Sequence, residues 1–112
     1  MYKLGTLEAA TEYTLDRQQF GKPLASNQLL QYILNDMTSK LGTTLTTVHN
    51  LGELKDNKEI NEYSDEIVVN TSLCKRYSCF TALKISQTCR DMLGGNGITE
   101  EYHIMRHLDN MH

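Results

Sequence analysis

Apolar side chains recur every three or four residues along most of this chain, which is the pattern of amphipathic helices. The longest stripe follows a capping residue at Ser26 or Asn27 and ends before a polar stretch at Lys55. A threonine cluster at 43–47 lowers the intrinsic helix propensity, but we expect the periodicity to decide. The stripe consists of Leu30, Ile33, Leu34, Met37, Leu41, Leu45, Val48 and Leu51.

Two further stripes flank this helix. The first predicted helix covers about 4–19 and ends at Phe20-Gly21-Lys22-Pro23, because proline cannot continue the hydrogen-bond ladder. Its apolar face consists of Leu4, Leu7, Thr11 and Leu15. The third predicted helix covers about 62–93. Its inner face consists of Ile67, Thr71, Cys74, Ser78, Phe80, Thr81, Ile85, Cys89 and Met92.

A glycine-rich segment separates the third helix from the last part of the chain. Gly94-Gly95-Asn96-Gly97 stops the helix, because glycine readily takes the left-handed conformation that closes a C-terminus. Thr99 then predicts the cap of a fourth helix, with Glu100 and Glu101 in its first turn. No strand-like alternation interrupts the pattern. The expected fold class is all-α, an antiparallel four-helix bundle.

Composition narrows the function classes. The chain has 112 residues, which suits one domain, and 11 basic against 14 acidic residues give a formal charge of -3. A dedicated nucleic-acid binder needs a concentrated basic face, so this balance disfavours one. No apolar run approaches the length of a membrane-spanning helix, and the first residues lack a signal-peptide core. Cys74, Cys79 and Cys89 lack CxxC spacing and are interpreted as reduced, partly buried thiols.

Two turns carry residues suited to anions. Arg17 lies beside Phe20 and Gly21 at a helix end, where its planar guanidinium can fork onto a phosphate. The glycines of 94–97 expose successive backbone N–H groups that can also receive an anion. Taken alone, the first motif is explained as simply by a surface arginine. The second is explained as simply by an ordinary helix C-cap. The residues therefore establish a helical bundle with two possible anion-contacting turns.

Other candidate chemistry is thinner. His103 and His107 share a helical face at a spacing that suits two metal ligands, but a third ligand has no obvious source. No metal site is therefore predicted. Asn27 and Gln28 could present side-chain amides to a ligand, although capping explains Asn27. No Ser/His/Asp arrangement or GxxxxGK[ST] loop is present.

Taken together, the two turns resemble the signatures of the acyl-CoA dehydrogenases. The segment 13–24 resembles their Arg-x-x-Phe-Gly motif, and Gln28 stands where they carry a flavin-contacting glutamine. The segment 91–98 resembles their second motif. With Glu101-Tyr102-His103 it is most similar to the glutaryl-CoA dehydrogenase branch. The resemblance covers about Gly5 to Asn110.

The resemblance implies which part of such an enzyme this chain is. The family combines an N-terminal helical domain, a middle β-domain and a C-terminal bundle that builds tetramers and reaches the FAD of a neighbouring subunit. Residues 1–112 resemble the bundle alone. The implied FAD-binding residues are Arg17 on the pyrophosphate, Phe20 near the flavin, Gln28 on the dinucleotide, and Asp91, Leu93, Gly94 and Gly95 around the ADP portion.

The resemblance also implies a reaction and partners. The family oxidises acyl-CoA thioesters between the α- and β-carbons, and the glutaryl branch also decarboxylates its product to crotonyl-CoA. Electrons pass to an electron-transfer flavoprotein, and the location is the mitochondrial matrix in a eukaryote or otherwise the cytoplasm. The catalytic glutamate lies in a Tyr-Glu-Gly-Thr segment that this sequence lacks, and neither Glu100 nor Glu101 matches it. We therefore assign no catalytic residue and expect the isolated chain to be inactive.

Two alternatives remain. The parent could be another acyl-CoA dehydrogenase or oxidase, because the segments that select the acyl chain lie outside these residues. The chain could instead be a non-enzymatic helical module that self-associates through its apolar faces.

Overall fold

The structure, a computed structural model, describes residues 2–61, 63–99, 101 and 103–110, with the backbone alone for 2–4. It confirms the all-α fold. Helix α1 spans Tyr2–Asp16, α2 spans Gln28–Asp56, α3 spans Asp65–Leu93, and α4 spans Ile104–Asp109. Helices α2 and α3 pack together across a short connection and therefore run antiparallel, while α1 and α4 both pack on α3.

The core lies where the second half of α3 meets the other three helices. Ile85 of α3 lies at the centre of this core and is only 1% exposed. The cluster comprises Leu7, Ala10, Met37, Leu41, Ile85, Cys89, Leu93 and Ile104, so every helix contributes. Burial of this apolar surface is the main force that holds the short helices α1 and α4 on the long pair.

The buried face of α1 is rotated from the predicted one. Leu7 is buried as expected, but Leu15 is 57% exposed. The other buried residues of α1 are small, Thr6, Ala10 and Thr14, and lie four residues apart on one face, while α1 packs mainly on α3. Small side chains let two helices approach closely, and the buried Thr14 hydroxyl donates to the Thr11 carbonyl at 2.9 Å.

Two local predictions were wrong. Thr99 does not cap the fourth helix: residues Gly94–Ile98 form a 3₁₀ helix, and Thr99 closes it by donating from Oγ1 to the Asn96 carbonyl at 2.8 Å. Helix α4 starts only at Ile104, after His103 in a left-handed conformation at φ 56°. Glu100 lies outside the described residues. A small antiparallel hairpin, β1 (Gln18–Gln19) with β2 (Lys22–Pro23), was also not anticipated.

Apolar side chains are exposed on the far halves of the two long helices, which are the second half of α2 and the first half of α3, away from the core cluster. The particle measures 59 × 26 × 16 Å, and its core lies towards one end. Leu45, Val48 and Phe80, predicted as inner-face residues, are exposed, and so is Thr71. Periodicity identifies an apolar stripe correctly but does not say which neighbour covers it.

The three thiols differ in accessibility, which gives a testable prediction. Cys89 and Cys74 are buried and Cys79 is exposed, all as free thiols. Burial raises the pKa of the Cys89 thiol from 9.0 to about 12, and its Sγ lies 3.7 Å from the Met37 sulfur. The stabilisation that the neutral Cys89 thiol provides is therefore complete below about pH 9 and is lost as the pH rises towards about 12.

We expect a thiolate-selective reagent to label Cys79 quickly and to leave Cys89 unlabelled from about pH 7 to about pH 10. Peptide mapping after timed labelling measures this, and labelling in denaturant supplies the control in which all sites react. Equal rates at Cys79 and Cys89 in the folded chain would contradict the burial.

Candidate functional site

The two motifs singled out in the sequence meet at one surface cavity. Arg17, just beyond the end of α1, and Asn96, in the glycine-rich turn, both line a cavity of about 480 Å³. The described residues that line it are Ala9, Glu12, Tyr13, Asp16, Arg17, Asn96, Glu101 and His103. Segments almost eighty residues apart in sequence therefore line one cavity.

Backbone hydrogen bonds fix the position of Arg17. Its N–H donates to the Tyr13 carbonyl at 2.8 Å, which extends the last turn of α1. Its own carbonyl accepts from the Leu24 N–H at 2.8 Å, which closes the base of the β1–β2 hairpin. The Arg17 backbone is thus held at the junction of α1 and the hairpin, while the residue remains exposed.

The hairpin presents Phe20 at its tip. Phe20 and Gly21 have φ of 53° and 75°, the two positive values that a tight type I′ hairpin turn requires. A left-handed phenylalanine costs about 1 kcal/mol, yet its ring is fully exposed at 101%. An aromatic ring held in solvent at that cost suits contact with a group outside this chain.

Gln28 stands apart from the cavity. It is the first residue of α2 and is exposed, next to Asn27, whose side chain accepts from the Leu29 N–H at 2.9 Å. Asn27 is therefore confirmed as the cap. Neither Gln28 nor Phe20 is among the described residues that line the cavity. Of the seven predicted FAD-binding residues, only Arg17 is among the described residues that line the cavity, and the glycine turn reaches it through Asn96.

Each glycine of the second motif has a different environment. Gly94 closes α3 with φ 58° and ψ -131°, a conformation open mainly to glycine. Gly95 has free space where a Cβ would stand, so its backbone is open to a ligand. A Cβ on Gly97 would lie 2.3 Å from the Arg90 carbonyl oxygen, so Gly97 is required by the packing of the turn on α3.

Asp91 and Leu93 occupy opposite environments. Asp91 is exposed, and its Oδ1 accepts from Arg90 Nη2 at 3.0 Å and from Arg90 Nε at 3.2 Å. This pairing offsets the carboxylate charge beside the glycine turn. Leu93 is only 3% exposed and belongs to the core cluster. Its side chain is committed to packing, so a ligand would meet Leu93 through the backbone.

The charges around the cavity limit where an anion can bind. Glu12, Asp16 and Glu101 line it together with Arg17. A diphosphate is repelled by these carboxylates and attracted by the guanidinium and by backbone N–H groups. The favourable position is therefore the rim near Arg17 and the glycine turn. Farther along the chain, burial, followed by the charges of Arg106 and His103, lowers the pKa of His107.

A second cavity differs in character. It measures about 690 Å³ and lies between α2 and α3, and the described residues of its lining include none that is charged. They are Thr43, Thr47, Asn50, Leu51, Leu54, Asn70, Leu73, Cys74 and Tyr77. These residues offer no positive charge to balance a phosphate. Over the described residues, no three His, Cys, Asp or Glu side chains are placed to hold a metal ion. None of the described helices is long and apolar enough to cross a membrane.

Comparisons with solved structures identify proteins with the same fold. The chain is similar to a glutaryl-CoA dehydrogenase from Mycobacterium smegmatis solved in complex with FADH2, with 36% identity, a TM-score of 0.87, and 98% of this chain but 27% of that chain covered. The butyryl-CoA dehydrogenase of Megasphaera elsdenii matches with 26% identity, a TM-score of 0.87 and the same two coverages.

Curated relatives show the same partial coverage. A subunit of the caffeyl-CoA reductase-Etf complex of Acetobacterium woodii is 30% identical over 102 residues, which are 91% of this chain and 25% of that protein. The chain spans about a quarter of the length of the curated relatives it matches. The sequence profile of the acyl-CoA dehydrogenase C-terminal domain matches residues 4–112. The chain therefore belongs to the acyl-CoA dehydrogenase family, through that C-terminal domain.

Proposed function

We propose that this chain is the FAD-contacting and oligomer-forming bundle of an acyl-CoA dehydrogenase, and specifically of a glutaryl-CoA dehydrogenase. The observation that carries the proposal is the shared cavity of Arg17 and Asn96, which joins the two signature motifs in space. The Mycobacterium smegmatis glutaryl-CoA dehydrogenase, solved with reduced FAD, supports both the cofactor and the branch.

The residues present suit the cofactor's diphosphate. Arg17 supplies a planar, permanently charged fork, and the open backbone at Gly95 supplies an N–H donor, whereas the Gly94 N–H already donates to the Asp91 carbonyl. Asp91, with its charge offset by Arg90, suits hydroxyl groups of a ribose. Gln28 offers an amide and Phe20 an exposed ring. Leu93 contributes through its backbone.

FAD would supply the hydride acceptor for α,β-dehydrogenation of an acyl-CoA thioester, followed in the glutaryl branch by decarboxylation to crotonyl-CoA. This chain's residues would bind and orient the cofactor. We propose that the assembled enzyme is a homotetramer. We also propose that it passes electrons to an electron-transfer flavoprotein, which the relative from a reductase-Etf complex supports. Its location would be the mitochondrial matrix in a eukaryote and otherwise the cytoplasm.

The test is FAD binding by the 112-residue chain and its Arg17→Ala variant. Loss of the two-pronged, charge-assisted hydrogen bond from the guanidinium to a phosphate should raise the FAD dissociation constant by about 10- to 100-fold. Phosphorus NMR of the FAD diphosphate detects weak binding directly. Arg76→Ala is the matched control, because Arg76 is exposed on α3, about 20 Å along the helix from the second motif.

The outcomes separate the proposal from its alternatives. Diphosphate resonances that shift with the wild type and with Arg76→Ala, but not with Arg17→Ala, support it. Unshifted resonances with the wild type at millimolar FAD, in a chain that still self-associates, would instead support a non-enzymatic module. The exposed apolar residues Val69, Leu73 and Phe80 favour that second candidate.

A further inference from the structure

One side chain connects the two motifs directly. Asn96 Nδ2 donates to the Tyr13 hydroxyl at 3.0 Å, across 83 residues of sequence. The Tyr13 carbonyl also accepts the N–H of Arg17 at 2.8 Å. Tyr13 is therefore bound to the arginine of the first motif through its backbone and to the glycine turn of the second motif through its side chain.

The Tyr13 ring is held in place by the core. It is half-buried and packs against the core cluster, so its hydroxyl has little freedom to move. Asn96 is held equally well, because its carbonyl accepts from both the N–H and the hydroxyl of Thr99 at 3.2 and 2.8 Å. A hydrogen bond between two anchored groups fixes the separation of the segments that carry them.

We propose that Tyr13 is a positioning residue that sets the distance between the Arg17 guanidinium and the backbone N–H of Gly95, so that both meet one diphosphate. This inference rests on the proposed function. It assigns the Tyr13 hydroxyl no contact with the ligand. Its contribution is preorganisation: the two anion-contacting groups need not be ordered when the ligand binds.

The Tyr13→Phe variant tests the inference, because it keeps the packed ring and removes only the hydroxyl. We expect amide hydrogen exchange at Gly95, Asn96 and Gly97 to speed up, with unchanged exchange in the far half of α2. FAD affinity should fall by about three- to tenfold. Asn96→Ala approaches the same bond from the other side and should match it. Tyr32→Phe is the control, because Tyr32 is 70% exposed on α2.

A double-mutant cycle with Arg17→Ala distinguishes positioning from general stability. If Tyr13 acts by placing Arg17 and the bend together, the effect of Tyr13→Phe on FAD affinity should shrink in the Arg17→Ala background. A purely structural hydrogen bond would give additive effects. Additive effects, unchanged exchange at the bend, or unchanged FAD affinity despite faster exchange would each overturn the inference. Absence of FAD binding by the wild type would instead be a failure of the proposed function, on which the inference depends.

Discussion

Replacing Gly97 with alanine is expected to destabilise the bundle by about 3 kcal/mol, at the upper end of the cost of overpacking. The new Cβ would lie 2.3 Å from the Arg90 carbonyl oxygen and 3.0 Å from Arg90 Cγ. The first of these is backbone within α3, so it cannot rotate away as a side chain could. The turn must lift off the helix, and thermal unfolding should shift down by roughly 10 °C.

The neighbouring glycines are matched controls for this prediction. Gly95→Ala places its Cβ in open space and should leave stability almost unchanged. Gly94→Ala meets no atoms but must adopt φ 58° with ψ -131°, outside the left-handed helical region, which costs about 2 kcal/mol. The expected order of destabilisation is Gly97, then Gly94, then Gly95. Equal destabilisation at Gly95 and Gly97 would show that the turn does not pack on α3 as described.

The same series separates folding from binding. If the backbone at Gly95 meets the diphosphate, Gly95→Ala should weaken FAD binding in a chain that unfolds at the wild-type temperature. Phosphorus NMR and thermal unfolding on one sample measure both quantities. That result would give the three glycines distinct requirements: conformation at Gly94, ligand access at Gly95 and packing at Gly97.

Periodicity predicted the long helices well, because their stability depends on a continuous apolar stripe. Helix α2 runs through the threonine cluster, where Thr44 and Thr47 donate their hydroxyls to the carbonyls of Lys40 and Thr43 at 2.8 Å. Packing thus outweighed low propensity. The face of α1 was only partly predicted, because Leu7 is buried but the small residues Thr6, Ala10 and Thr14, and not Leu15, are the other buried positions.

The candidate site was predictable in part. The resemblance selected Arg17 and the glycine segment, and the structure brings these together at one cavity. The resemblance could not show that Leu93 is a core residue, because the packing of Leu93 depends on contacts with residues distant in sequence. The role of Tyr13 was also missed. Its signal was its place one helical turn before Arg17, which becomes meaningful only once Asn96 lies opposite.

The geometry of the site depends on the core beneath it, so a core mutation should disturb both. Ile85→Ala is expected to cost about 2–5 kcal/mol, because Ile85 is 1% exposed and the cavity left behind cannot collapse fully. Chemical denaturation measures this cost. Val69→Ala removes a similar aliphatic group from the same helix where it is 54% exposed, and should cost less than about 0.5 kcal/mol.

The Ile85 substitution should also weaken the link between the two motifs. Ile85 lies in the cluster with Leu7 and Ala10 of α1 and with Leu93, which immediately precedes the glycine turn. Loosening that cluster releases α1 from α3, so the Tyr13–Asn96 bond should break more often. Amide exchange at Gly95 to Gly97 should therefore rise in Ile85→Ala and not in Val69→Ala. Equal exchange in the two variants would mean that the core does not transmit its order to the site.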